Sequence, residues 1–183
     1  MFKPRFRITN KIINHIVDIA AARELVLNAS LLPRWEVKLR KEAVVKMAHH
    51  STSIEGNPLT LEQVKNLLAG KKIAAWEKDK REVINYVKVL GYIDKLGEER
   101  AKNISEEITL KIHQLTTQGI LTDNESGCYR KVPVAVVDGY GRVVFQPPPK
   151  NRVPHLMKDF ALWLNSDQAH ELYPVLLSGI SHY

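Results

Sequence analysis

Helix-breaking residues, set between apolar residues at helical spacing, constrain this chain more than any other feature. Ile12, Ile16, Ile19 and Ala20 share one face of a helix that Asn10 or Thr9 can cap and that runs to about Ala29. Pro33 interrupts it. A second, longer helix follows from about Trp35 towards Glu55, carrying Val37, Val44, Val45, Met47 and Ala48. Gly56-Asn57-Pro58 stops that helix, because glycine suits a left-handed cap and proline cannot continue a helix. Thr60-Leu61-Glu62-Gln63 is a capping box and opens a helix that closes near Gly70. A further helix spans residues 79–96, with Val83, Tyr86, Val87, Leu90 and Ile93 inward. Ser105 or Asn103 caps the next, which carries Ile108, Ile112 and Leu115 and ends at Gly119.

The pattern then changes to short β-prone runs, 132–137 and 142–145, flanking Asp138-Gly139-Tyr140-Gly141. Asp-Gly between such runs signals a hairpin whose loop has two residues or more. Pro147-Pro148-Pro149 makes an extended strap, and helix returns over residues 153–165 with Leu156, Phe160 and Trp163 inward. Pro174 is placed to begin a last helix. Val175, Leu176, Leu177, Ile180 and Tyr183 keep the helical period to the final residue with no cap, so the last helix reads as cut in mid-pattern. The expected fold class is mainly α, incomplete at the C-terminus, with an N-terminal helical region over 1–70, a second region over 71–183, and one short β-hairpin.

With 44% apolar and 26% charged residues, the 183-residue chain is neither disordered nor fibrous in composition. It has no run of apolar residues long enough for a membrane span, and its polar first residues do not resemble a secretory leader. Cys128 is the single cysteine, which rules out an internal disulfide and a cysteine-built zinc site and fits a reducing, cytoplasmic setting. The net charge of +7 is spread over helical faces, densest at Arg34 to Lys46 and Lys71 to Arg81, where solvated faces account for it better than a nucleic-acid surface. His49, His50, His113, His155, His170 and His182 show no metal-binding spacing and are expected at the surface or core edge. Cys128 is expected to be half-buried, and Trp35, Trp76 and Trp163 to sit in the core.

One short segment resists a purely structural reading. In Ser51-Thr52-Ser53-Ile54-Glu55-Gly56-Asn57, Ser51 and Glu55 are one turn apart and share a helix face. Glu55 sits in the last turn, where the helix dipole disfavours an anion by some tenths of a kcal/mol to about 1 kcal/mol. A carboxylate set against local preference points to a cationic partner, most simply an arginine; a solvated glutamate before a glycine cap is the plain alternative.

The string from Ser51 to Thr60 resembles the inhibitory-helix motif [S/T]-x-x-x-E-[G/N] of Fic-family proteins, the subclass with an N-terminal inhibitory helix. Gly127-Cys128-Tyr129-Arg130, with the valine-rich hairpin and the three prolines behind it, resembles the family's flap and its lead-in; residues 175–183 resemble the helix before the catalytic loop. These matches cover residues 9–183 in the expected order. The catalytic signature H-x-F-x-[D/E]-G-N-G-R-x-x-R is not in the sequence. Its histidine would be the general base and its remaining residues would hold ATP and Mg²⁺, so no catalytic role carries over, and His182 matches only the position before the motif.

The resemblance implies a protein adenylyltransferase that moves AMP from ATP to a Tyr, Thr or Ser hydroxyl of a target protein, with this portion regulatory and inactive alone. Ser51, Glu55, Gly56 and Asn57 would form the inhibitory segment. Glu55 would pair with the last arginine of the signature and Ser51 would anchor the helix. An Arg–carboxylate bond of about 1.5–3 kcal/mol would suppress nucleotide use roughly ten- to a hundredfold. Val134, Val136, Asp138, Gly139, Tyr140, Gly141 and Val143 would form the target-docking flap, pairing by strand addition. A homo-oligomer is compatible with this reading, and a membrane is not implied. The alternative is a non-catalytic helical binding module, a DNA-binding or antitoxin-like regulator, whose affinity would fall steeply with salt.

Overall fold

In the computed structural model, which describes residues 2–30, 32–99 and 103–182, most helices begin where a hydroxyl can hold a free amide or where a proline has none to offer. Thr9 caps α1 (Asn10–Leu27), its Oγ1 accepting from the Ile12 amide at 3.3 Å. Pro33 is itself the first residue of α2 (Pro33–Ile54), two residues before the expected start, since a proline at the first helical position loses no hydrogen bond. Thr60 and Gln63 form the capping box of α3 (Leu61–Leu68). α4 (Glu77–Glu98) starts after Trp76, with Glu77 and Asp79 in the first turn, where the dipole favours acids. Ser105 caps α5 (Glu106–Thr117). After the hairpin come α6 (Val153–Leu164), the short α7 (Asp167–His170) capped by Ser166, and α8 (Pro174–His182), which Pro174 opens as expected. The expected interruption at Tyr183 lies outside the described residues.

α4 is the centre of the helical packing: it lies against α2, α3 and α5, and α5 leads on to α6. One core cluster buries Ala48, Leu59, Val64 and Val83, with Val45, Leu67, Ile73, Tyr86 and Val87 packed against it. A second buries Trp163, Leu164 and Ala169 beneath Phe2, Phe160, Leu177 and Ile180, with the Phe2 ring edge-on to Phe160 at 5.2 Å. The chain is thus mainly α with a two-stranded antiparallel hairpin, as the periodicity implies. No helix among the described residues is long and apolar enough to cross a membrane.

Several side chains read as core from spacing alone are not. Trp76 is 81% exposed and Trp35 46%, and only Trp163 of the three tryptophans is buried. Trp76 stands at the N-cap of α4, where its side chain leaves the helix before any packed face begins. Ile19, Val37, Met47 and Ile93 are likewise exposed, and α1 buries no residue at all. A 3.6-residue stripe marks which face is apolar, but not whether another element reaches it. Cys128 is exposed rather than half-buried, because the turn after α5 directs its neighbour Tyr129 inward instead.

Candidate functional site

The end of α2 is built so that a carboxylate stands free beside two fixed polar contacts. Gly56 takes φ of +90°, and the Gly56 and Asn57 amides donate to Ser53 O at 3.0 Å and Thr52 O at 3.1 Å, a paired closure of the last turn. An added Cβ at Gly56 would meet nothing within 4 Å, so it is the backbone conformation, not crowding, that requires glycine. Glu55 is the C-cap residue. Its side chain is exposed and makes no hydrogen bond or ion pair among the described residues, so the cation expected from its position is not supplied here.

Its neighbours are tied down. The Ser51 hydroxyl donates to the Tyr86 hydroxyl at 2.8 Å, from α2 to α4. Thr52 is buried and returns its hydroxyl to Ala48 O at 2.8 Å. Asn57 is only 6% exposed; its amide nitrogen donates to Asp79 O at 2.9 Å and to Glu82 Oε2 at 2.8 Å, while its Oδ1 accepts from the Leu59 amide at 3.1 Å. Among the described residues, the side-chain hydrogen bonds that Ser51 and Asn57 make to another helix therefore all run to α4. Tyr86, Asp79 and Glu82 were not singled out from sequence as part of this site. Tyr86 falls on the apolar stripe of its helix, and the available signal was that a half-buried tyrosine needs a partner for its hydroxyl.

The hairpin is organised differently. β1 (Val136–Val137) pairs with β2 (Val143–Phe145), with a bulge between Val136 and Val137. Its loop spans residues 138–142, longer than two residues. Asp138 closes it: Oδ1 accepts from the Tyr140 amide at 2.9 Å and the Arg142 amide at 3.0 Å, and Oδ2 accepts from Arg142 Nε at 2.8 Å. These donors, led by the Arg142 amide, hold the Asp138 carboxyl below the usual range. Gly141 supplies the positive φ of the turn at +78°, whereas Gly139 does not. Val134, Val136, Val137, Val143, Val144 and Phe145 are all exposed, and Tyr140 at the tip is 87% exposed.

The base of the hairpin is fixed by its own side-chain bonds. Arg130 donates through Nη2 to Pro148 O, and Gln146 donates to Val134 O at 3.2 Å. The Tyr129 hydroxyl donates to Glu106 Oε1 at 2.7 Å; burial and then this carboxylate push the phenol well above its ordinary pKa. The amide of Gly127, at φ +72°, donates to His113 Nδ1 at 3.0 Å, and a Cβ there would come within 2.9 Å of Gln114 Cβ. Glycine is needed at this turn on both counts.

For ATP and Mg²⁺ no holder is assembled: no group of three or more His, Cys, Asp and Glu side chains able to bind a metal gathers among the described residues, and the signature's glycines and arginines are not in the sequence.

No family model matches the chain. Among curated proteins it is similar to the protein adenylyltransferase Fic of Drosophila grimshawi, 30% identical over 151 residues, which cover 80% of this chain and 29% of that protein. Its counterpart in Aedes aegypti is 30% identical over 152 residues, 80% of this chain and 28% of that one. The chain thus spans less than a third of the length of these relatives. Among solved structures, a Fic family protein from Desulfovibrio desulfuricans G20 superposes with a TM-score of 0.77 at 29% identity, covering 100% of this chain and 52% of that one. A Fic domain-containing signalling protein from Bacteroides thetaiotaomicron shares the fold, with a TM-score of 0.73 at 23% identity over 84% of this chain and 58% of that chain. In sequence and in fold, this chain is similar to proteins of the Fic family.

Proposed function

We propose that this chain is the regulatory and target-docking portion of a protein adenylyltransferase that transfers AMP from ATP to a hydroxyl side chain of a target protein, held in check through Glu55. The observation that carries the reading is the carboxylate at the end of α2, exposed and unpaired among the described residues while Ser51, Thr52 and Asn57 around it are all bonded. An unpaired anion at the negative end of a helix is disfavoured alone and gains most from an arginine brought against it. The relatives' name, protein adenylyltransferase, supports the activity and a protein as target. The signature that would bind ATP and Mg²⁺ is not in these residues, so the chain by itself is inactive in this proposal. The exposed valines of the hairpin and the backbone edges of its strands suit an extended target segment added as a further strand. One exposed, unpaired cysteine suits a reducing cytoplasm.

The test is AMP incorporation, self-modification included, by the parent gene's product read on past Tyr183 through any signature it encodes, with labelled ATP and Mg²⁺, as wild type and as Glu55→Gly. Incorporation should rise roughly ten- to a hundredfold with the substitution. A folded, signature-bearing product that Glu55→Gly leaves unchanged, or a gene with no signature, would sink the reading and leave the helical binding module in its place. That module should instead bind nucleic acid with an affinity that falls steeply with salt.

A further inference from the structure

Glu55 does not hold the end of α2. Its carboxylate has no partner among the described residues, so nothing in its own side chain fixes where its charge lies. The fixing is done one turn before it and two residues after it. Ser51 reaches Tyr86, and Asn57 reaches Asp79 and Glu82, all three on the first half of α4.

We propose that Tyr86 is a positioning residue for Glu55: with Asn57 it clamps the last turn of α2 to α4 so that the carboxylate is presented at a fixed place. This rests on the inhibitory reading of Glu55. The Tyr86 ring packs against the cluster of Ala48, Leu59, Val64 and Val83, which makes its oxygen a fixed point instead of a swinging one. Serine is a mediocre residue inside a helix and often turns its hydroxyl back to its own backbone. Thr52 does that with Ala48, whereas Ser51 spends its hydroxyl across the helix boundary. Asn57 uses both its amide nitrogen and its carbonyl oxygen, so its side chain has no second orientation that keeps these bonds. Helix ends open at little cost unless such contacts hold them. Without the Tyr86 hydroxyl, Glu55 would ride on a fraying turn.

The first measurement is amide hydrogen exchange in the 183-residue chain. The amides of Glu55, Gly56 and Asn57 close the last turn on Thr52 O and Ser53 O, so they report it directly. Tyr86→Phe and Ser51→Ala should each speed their exchange roughly five- to tenfold, the loss of one hydrogen bond. Ser51→Thr, which keeps the hydroxyl, should restore the wild-type rate, and amides of α5 should not change. Unchanged rates at residues 55–57 in Tyr86→Phe overturn the proposal, as does an equal rise across α5, which would mark general loosening. The second measurement is AMP incorporation by the signature-bearing product. Tyr86→Phe should raise it, and should add nothing to Glu55→Gly, an outcome that simple destabilisation would not give. If Glu55→Gly activates and Tyr86→Phe does not, the clamp fails while the inhibitory reading stands. If Glu55→Gly itself has no effect, both fail together.

Discussion

The end of α2 and the hairpin are the two regions whose sequence invites a functional reading, and they are built in opposite ways. At the end of α2 three side chains around Glu55 are bonded into the fold, Thr52 and Asn57 buried and Ser51 tied to Tyr86, while Ser53, Ile54 and Glu55 are exposed. The hairpin has two short strands, exposed valines, and a turn held by its own Asp138. A segment meant to present one charge at one place gains from rigidity. A segment meant to accept another strand gains from open edges and uncommitted side chains. Substitutions should therefore read out as stability in the first region and as binding in the second.

Asn57→Ala should give the largest effect. It removes two donors and an acceptor from a buried site and leaves Glu82 without one of its partners, at a cost of about 2–3 kcal/mol in denaturant unfolding. A loss under about 0.5 kcal/mol, the range of ordinary surface changes, would mean that the joint between α2 and α4 is looser than its hydrogen bonds imply. Gly56→Ala comes next: its φ of +90° with open space around the Cβ isolates the backbone cost, about 1–2 kcal/mol. Asparagine there should recover part of it, since it tolerates the left-handed region better than alanine.

In the hairpin, Val136→Ser and Val143→Ser change side chains that are already in water, so unfolding should shift by no more than about 0.5 kcal/mol. The same changes should weaken capture of a target peptide in the signature-bearing product, measured as a rise in KM for the target with kcat little altered. A stability loss above about 1 kcal/mol would show that the valines are covered by another part of the fold, and the contrast between the regions would collapse.

Much of this was legible in the sequence, for local reasons. The capping box at Thr60, the Gly56 stop, Pro174 and the hairpin at Asp138 are each decided by the chemistry of a few adjacent residues. What was not legible depends on distance along the chain. Ser51 and Tyr86 are 35 positions apart, and Asn57 and Glu82 are 25, so nothing near either member names the other. Trp35 and Trp76 were misplaced for the same reason: their apolar spacing is real, but both side chains are exposed, Trp76 at 81%. The short α7 escaped because four residues are too few to show a period, though Ser166 caps it in the usual manner.

The smallest effect expected is also the cleanest probe of whether the hairpin really is self-contained. Asp138 accepts from the Arg142 and Tyr140 amides and from the Arg142 guanidinium, and these hold its carboxyl below the ordinary value of about 3.9. With the folded pKa the lower of the two, the turn's stabilisation is complete above the unfolded value and is lost as pH falls through the folded one. An NMR titration followed at the Asp138 carboxyl and at the Tyr140 and Arg142 amides should thus give one shared midpoint below about 3.9. The amides around Glu55 should not follow that midpoint, because among the described residues the hydrogen bonds of Ser51 and Asn57 run to α4 and not to the hairpin turn. Asp138→Asn keeps an acceptor at Oδ1 but loses the charge, so it should preserve the turn and abolish the titration. A midpoint at the unfolded value would mean the loop is not closed by Asp138 in solution. A transition shared with residues 55–57 would mean the two regions are coupled, and the division of labour drawn between them would have to be replaced by a single cooperative unit.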